Sequence, residues 1–107
     1  MWPMAGVLPV PVVMERSWLV IGSREVTLTS AGPLGPAGTR ARGHEFHCSK
    51  LADISAAVAR LYAVTDGRGG TPRDEGFVIG GTLLSYVHLH AGSNPVLASN
   101  FVAACRR

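Results

Sequence analysis

Two short stretches hold all four histidines of the chain. Residues 42–49 read RGHEFHCS, bringing His44, Glu45, His47 and Cys48 together, and residues 85–90 read SYVHLH, with His88 and His90. Imidazole, carboxylate and thiol are the groups of acid–base, nucleophilic and metal chemistry. On a strand, whose side chains alternate with a period of two, His88 and His90 share a side and could both reach one zinc. The same period sends His44 and Phe46 to one face and Glu45 and His47 to the other, which spoils the H-x-x-H pair. Zinc spacings that carry weight join two close Cys or His to a second close pair on a turn and helix, an arrangement absent here. We therefore expect no metal. A small metal-binding domain using His88, His90 and Cys48 stands as an alternative, and histidines lining an edge, bonded to backbone, as the plainest reading.

Nucleophilic catalysis needs a thiol on a sharp turn with an imidazole beside it. Cys48 falls in or at the end of a strand with no glycine elbow after it, and Cys105 lies two residues from the chain end in a helix. Both read as buried or half-buried thiols. No G-x-x-x-x-G-K-[ST] phosphate loop occurs. A base is present without its nucleophile.

The elements that must position these residues are mostly strands. Prolines at 3, 9 and 11 make the first dozen residues extended. SWLVIG (17–22), closed by Gly22, and REVTLTS (24–30), with Val26 and Leu28 on one face, read as two strands. AGPLGPAGT (31–39) holds three Gly and two Pro, a surface turn before the RGHEFHCS strand. DISAAVARLYAV (53–64) reads as a helix running into a strand, TDGRGG (65–70) as a turn and EGFVIGG (75–81) as a short strand. LLSYVHLH (83–90), dense in aliphatic, aromatic and β-branched residues, reads as a central strand. Asn94 as N-cap and Pro95 at the first helical position open a closing helix. Leu97, Phe101 and Ala104 or Cys105 recur along it, and Arg106 and Arg107 sit at its negative end.

A chain of 107 residues with 47% hydrophobic and 16% charged residues suits one small core-forming domain. The net charge of +3 is spread without a basic run or interleaved aromatics, which argues against nucleic acid. The apolar start MWPMAGVLPVPVVM is too short and too broken by proline to cross a membrane and has no cleavage site. With two cysteines and no disulfide framework, a cytoplasmic, reduced protein is expected.

WPMAGVLPV, VIGSREVTL, PLGPAGTRARGHEFHCS and SYVHLHAGSNPVLASNFVAAC together resemble the C-terminal part of the cobyrinate (hydrogenobyrinate) a,c-diamide synthases, two-domain glutamine-dependent ligases of cobalamin biosynthesis. Ser23 and Cys48 stand where that family usually has Tyr. The resemblance implies an α/β fold: the C-terminal portion of a class I glutamine amidotransferase domain of flavodoxin-like, three-layer type, strand-rich with a closing C-terminal helix. Residues 1–107 would then be a partial domain, with the nucleophile half and the N-terminal ATP-binding domain upstream of Met1. His88 is implied as the general base that activates the glutaminase cysteine. His90 stands where class I enzymes often carry an orienting Glu, so a Cys–His dyad is implied. His44, Glu45, Phe46 and His47 are implied as scaffold or substrate-side lining. ATP and Mg²⁺ belong to the full-length family, with no cofactor in this chain; glutamine and a corrinoid are the substrates. The chain alone is expected to be inactive. A stand-alone structural or binding subunit, completed by a second chain that supplies the nucleophile half, is the alternative.

Overall fold

The computed structural model describes residues 5–8, 10–14, 19–52, 54–66 and 71–106. Among the described residues eight strands precede one helix: β1 (Val12–Met14), β2 (Val20–Leu28), β3 (Arg40–His47), β4 (Ser49–Leu51), β5 (Ala59–Thr65), β6 (Arg73–Ile79), β7 (Thr82–Leu84), β8 (His88–Leu89) and α1 (Val96–Cys105). A 3₁₀ turn, Ala91–Ser93, links β8 to the helix. β1 and β4 form a two-stranded ribbon, and the rest form a sheet in the order β7-β6-β5-β2-β3-β8. Among the described residues every strand pair is antiparallel. The strand-rich, helix-closed architecture is therefore observed, and this part of the chain is itself an antiparallel sheet rather than a layered parallel one.

The sheet must curl. Only Ser85–Val87 join β7 on one edge to β8 on the other. Four Cα steps span at most about 14 Å, whereas the edges of a flat six-stranded sheet lie roughly 24 Å apart. The curl wraps a core of Val26, Leu28, Ala41, Tyr62, Val64 and Val87, which Leu34, Leu61 and Leu97 join.

Four expectations are corrected. The strands read at 17–22 and 24–30 are one strand from residue 20, with residues 15–18 outside the described part. Gly22 does not end it; the Arg24 guanidinium lies over Gly22, and a Cβ there would meet Arg24 Nη1 at 2.6 Å. Residues 54–58 form no helix. Arg60 donates to the carbonyls of Ile54, Ser55 and Val58, holding an irregular loop, and the chain then enters β5 between β2 and β6, where cross-strand pairing overrides the alanines' helix propensity. Asp53 lies outside the described residues, as do residues 67–70 of the expected turn. The expected central strand at 83–90 is two short edge strands, because Ser85 Oγ and the Tyr86 N–H both donate to Glu75 Oε1 instead of joining a ladder.

The fourth correction concerns the helix. Asn94 Oδ1 accepts from the Val96 N–H at 3.2 Å, the bond expected of a cap, although the helix is assigned from the residue after Pro95. Leu97 is buried and Asn100 donates to the Leu34 carbonyl, but Phe101 is 52% exposed and Cys105 is exposed too. Arg106 follows the last helical residue, and Arg107 is outside the described residues. Cys48 is half-buried, as expected.

Candidate functional site

The alternation of β3 sorts its residues as the sequence implies. His44 and Phe46 are on the open face, while Glu45 is wholly buried and His47 nearly so. Two clusters result, one on each face.

On the open face, His44 and His88 are direct cross-strand partners in the β3–β8 ladder. His88 Nδ1 lies 3.2 Å from His44 Nε2, and the rings meet edge to face at a centroid distance of 4.8 Å. Gly43 allows this approach, since a Cβ at 43 would sit 2.2 Å from the His88 carbonyl oxygen. The turn after β8 is tied to the same strand. His90 N–H donates to the Arg42 carbonyl at 2.8 Å, and Arg42 N–H donates to Ser93 Oγ at 2.9 Å. His90 does not share a ligand position with His88: its Nδ1 accepts from the Gly92 N–H at 2.9 Å. Among the described residues no three His, Cys, Asp or Glu side chains are grouped to hold a metal. The trio His88, His90 and Cys48 is thus not assembled among them.

On the inner face, Gly22 stands directly across from Glu45, and Arg24 reaches past it to place Nε 3.2 Å from Glu45 Oε1. Arg73, from β6, is bonded to the same oxygen and lies 3.1 Å from Glu75 Oε2 without hydrogen-bond alignment. Glu45 Oε2 is 2.7 Å from His47 Nε2, and His47 Nδ1 is 2.8 Å from the Ser49 carbonyl. Both partners of that ring are acceptors, so an imidazolium donates to both at once and a neutral ring to one. His47 stacks on Tyr86 at 3.8 Å, and the Tyr86 hydroxyl bonds Ser49 Oγ at 2.7 Å. Tyr62 donates to Ser85 Oγ, which donates to Glu75. Burial pushes the Tyr62 phenol up to about 12, with Glu75 charge adding to the rise and the Ser85 bond opposing it. Arg24, Glu45, His47, Arg73, Glu75 and Tyr86 border an open cavity of about 510 Å³.

The inner cluster holds the segment that carries His88. Tyr86 lies two residues before it and is fixed by its backbone to Glu75 and by its ring to His47. Sequence reasoning missed Arg24, Arg73, Glu75 and Tyr86. One signal was available: a carboxylate at an inward strand position has to meet cations or donors, because an unpaired buried charge is prohibitively costly. Glu45 is committed to Arg24, Arg73 and His47, and Glu75 Oε1 to Ser85 and Tyr86, whereas Glu75 Oε2, beside Arg73, has no hydrogen-bond partner.

The chain belongs to the CobB/CobQ-like glutamine amidotransferase domain family, which matches residues 1–96. Among its relatives are a cobyrinate a,c-diamide synthase of Leptospira interrogans, 35% identical over 99% of this chain and 24% of that protein. One of Syntrophotalea carbinolica is 40% identical over 96% of this chain and 23% of its own length. A hydrogenobyrinate a,c-diamide synthase of Streptomyces coelicolor is 38% identical over 97% of this chain and 20% of its own. The chain thus spans about a quarter of the length of the curated relatives it matches. No solved structure matches it significantly. Among the described residues no helix is long and apolar enough to cross a membrane.

Proposed function

We propose that this chain supplies the general base, His88, to a glutamine amidotransferase that converts the a and c carboxylates of (hydrogeno)cobyrinic acid to amides in cobalamin biosynthesis. The family match and the relatives' names support the reaction class. The observation that carries the residue assignment is the exposed imidazole of His88, held at the sheet edge by a two-residue strand. In the reaction, His88 takes the proton of a cysteine thiol as the sulfur attacks the glutamine carboxamide carbon. The imidazolium returns that proton to the amide nitrogen as the C–N bond breaks and ammonia leaves, and water then cleaves the thioester to give glutamate and free thiol.

That cysteine comes from outside these residues. Cys48 is four residues along the extended chain from His44, roughly 13 Å, beyond hydrogen-bond reach of the imidazole paired with His44. Residues 1–107 are read as the C-terminal part of a class I domain whose remaining portion has the flavodoxin-like layers. The open face supports this. Ile21 and Phe46 are direct cross-strand partners beside the histidine pair, yet are 60% and 61% exposed, an apolar surface that the cysteine-bearing portion would cover. Amidation by the full-length family draws on ATP and Mg²⁺, and no step here is assigned to them. Glu45 and His47 act as scaffold under this reading. The working compartment is the cytoplasm.

The test compares ammonia release from glutamine by this chain alone with release by its fusion to the cysteine-bearing portion of a family member. The chain alone should show none, and His88→Ala should lower the fusion's rate on the order of 10⁴- to 10⁶-fold. A fusion indifferent to His88→Ala removes the base assignment. Turnover by the chain alone, lost on His88→Ala, overturns the incomplete-site reading. If a separate chain brings the cysteine, it will co-purify in equal amounts with this one.

A further inference from the structure

A general base of this kind must keep its proton on the ring nitrogen away from the thiol, and a third group normally accepts that proton and holds the ring. We infer that His44 is this positioning residue: its Nε2 accepts the His88 Nδ1–H and so leaves His88 Nε2 free for the cysteine proton. The inference rests on the reading of His88 as base.

One proton lies between His88 Nδ1 and His44 Nε2, 3.2 Å apart. If His44 supplies it, His88 keeps its own proton on Nε2 and has no lone pair for a thiol. If His88 supplies it, His44 carries its proton on Nδ1 and His88 Nε2 is a ready acceptor. Only the second arrangement is compatible with base catalysis. When the thiol proton arrives at Nε2, the imidazolium keeps donating through Nδ1 to His44, so the contact survives the transfer. A neutral imidazole supplies direction and tautomer without the charge of a carboxylate.

The fold is built to hold this pair. His44 and His88 face each other in register. Gly43 admits the His88 carbonyl at a distance no side chain would tolerate. His90 N–H and Ser93 Oγ tie the following turn to Arg42, and Asn94 Nδ2 donates to the Arg40 carbonyl at 2.9 Å. His90, two residues past the base, is engaged with Gly92 N–H. The alternation that turns Glu45 inward leaves His44 as the β3 side chain opposite His88.

The tautomers are read directly from long-range ¹H–¹⁵N correlation spectra of the ¹⁵N-labelled chain at a pH where imidazoles are neutral. The expected result is an Nδ1–H tautomer for both His88 and His44. His44→Phe should shift His88 toward the Nε2–H form, whereas His44→Gln, whose amide oxygen can accept, should retain Nδ1–H. An Nε2–H tautomer for His88 in the unaltered chain, or one indifferent to His44→Phe, overturns the inference. In the cysteine-bearing fusion, His44→Phe should lower kcat about 10- to 100-fold at nearly constant KM, with partial recovery in His44→Gln. Unchanged kcat in His44→Phe also overturns it. Failure of the base reading is distinct, showing as activity retained in His88→Ala whatever the tautomers.

Discussion

Glu45 Oε2 and His47 Nε2 lie 2.7 Å apart on alternate residues of one strand, with the carboxylate wholly buried between Arg24, Arg73 and the imidazole. Neutralising Glu45 leaves the Arg24 and Arg73 guanidinium groups facing an uncharged amide. Glu45→Gln should therefore lower unfolding free energy by about 3–5 kcal/mol, as expected when one partner of a buried pair is removed. Urea unfolding measures this, and a loss below 1 kcal/mol would show that the cluster is already solvated.

Tyr62 links pH to stability. Burial pushes its phenol up to about 12 in the folded chain, against about 10 for an exposed tyrosine. Between those values the unfolded chain loses a proton that the folded chain keeps, so unfolding is favoured by rising pH. Stability from this group is fully present below pH 10 and is lost progressively toward pH 12. Absorbance titration should find a late phenol ionisation that disappears in Tyr62→Phe, together with this component of the alkaline slope in unfolding free energy.

Gly43 tests the β3–β8 contact. A methyl group there meets the His88 carbonyl oxygen at 2.2 Å, so the two strands have to part. Gly43→Ala should cost about 1–3 kcal/mol by overpacking. Amide exchange should show His90 N–H, bonded to the Arg42 carbonyl, losing protection more than the β2–β5 amides. Equal protection in both chains would mean that β8 adjusts without separating.

The exposed Ile21–Phe46 pair should contribute to association more than to folding. Ile21→Ser with Phe46→Ser should change unfolding free energy by only about 0.5 kcal/mol per site. Sedimentation velocity should show less self-association of the chain, and the fusion with the cysteine-bearing portion should lose stability. A large destabilisation of the chain alone would mean that the pair is part of its own core.

Leu97 anchors the closing helix in the core cluster that includes Leu34. Leu97→Ala should cost about 2–5 kcal/mol, whereas Phe101→Ala, on the exposed side, should cost little. Thermal unfolding of the two variants checks the order.

By itself the sequence determined the parts that local chemistry controls. Alternation along 40–47 sorted His44 and Phe46 from Glu45 and His47, since successive strand side chains must point to opposite faces. Glycine and proline marked the turn at 31–39, Asn94 and Pro95 marked the helix start, and the motif residues carried the family resemblance that the match over residues 1–96 shows. Tertiary structure decided what depends on distant partners. LLSYVHLH has strand-forming side chains throughout, but a buried carboxylate eight residues before its start claims Ser85 and Tyr86 and splits it between opposite sheet edges. The alanines of 53–64 favour helix locally, yet β5 is flanked by two strands that its backbone must satisfy. The meeting of His44 with His88 is likewise a matter of register between segments 44 residues apart, set by a glycine's missing side chain and by the curl of the sheet. No local pattern encodes such a pairing, because its energy comes from contacts that form only when the whole sheet closes.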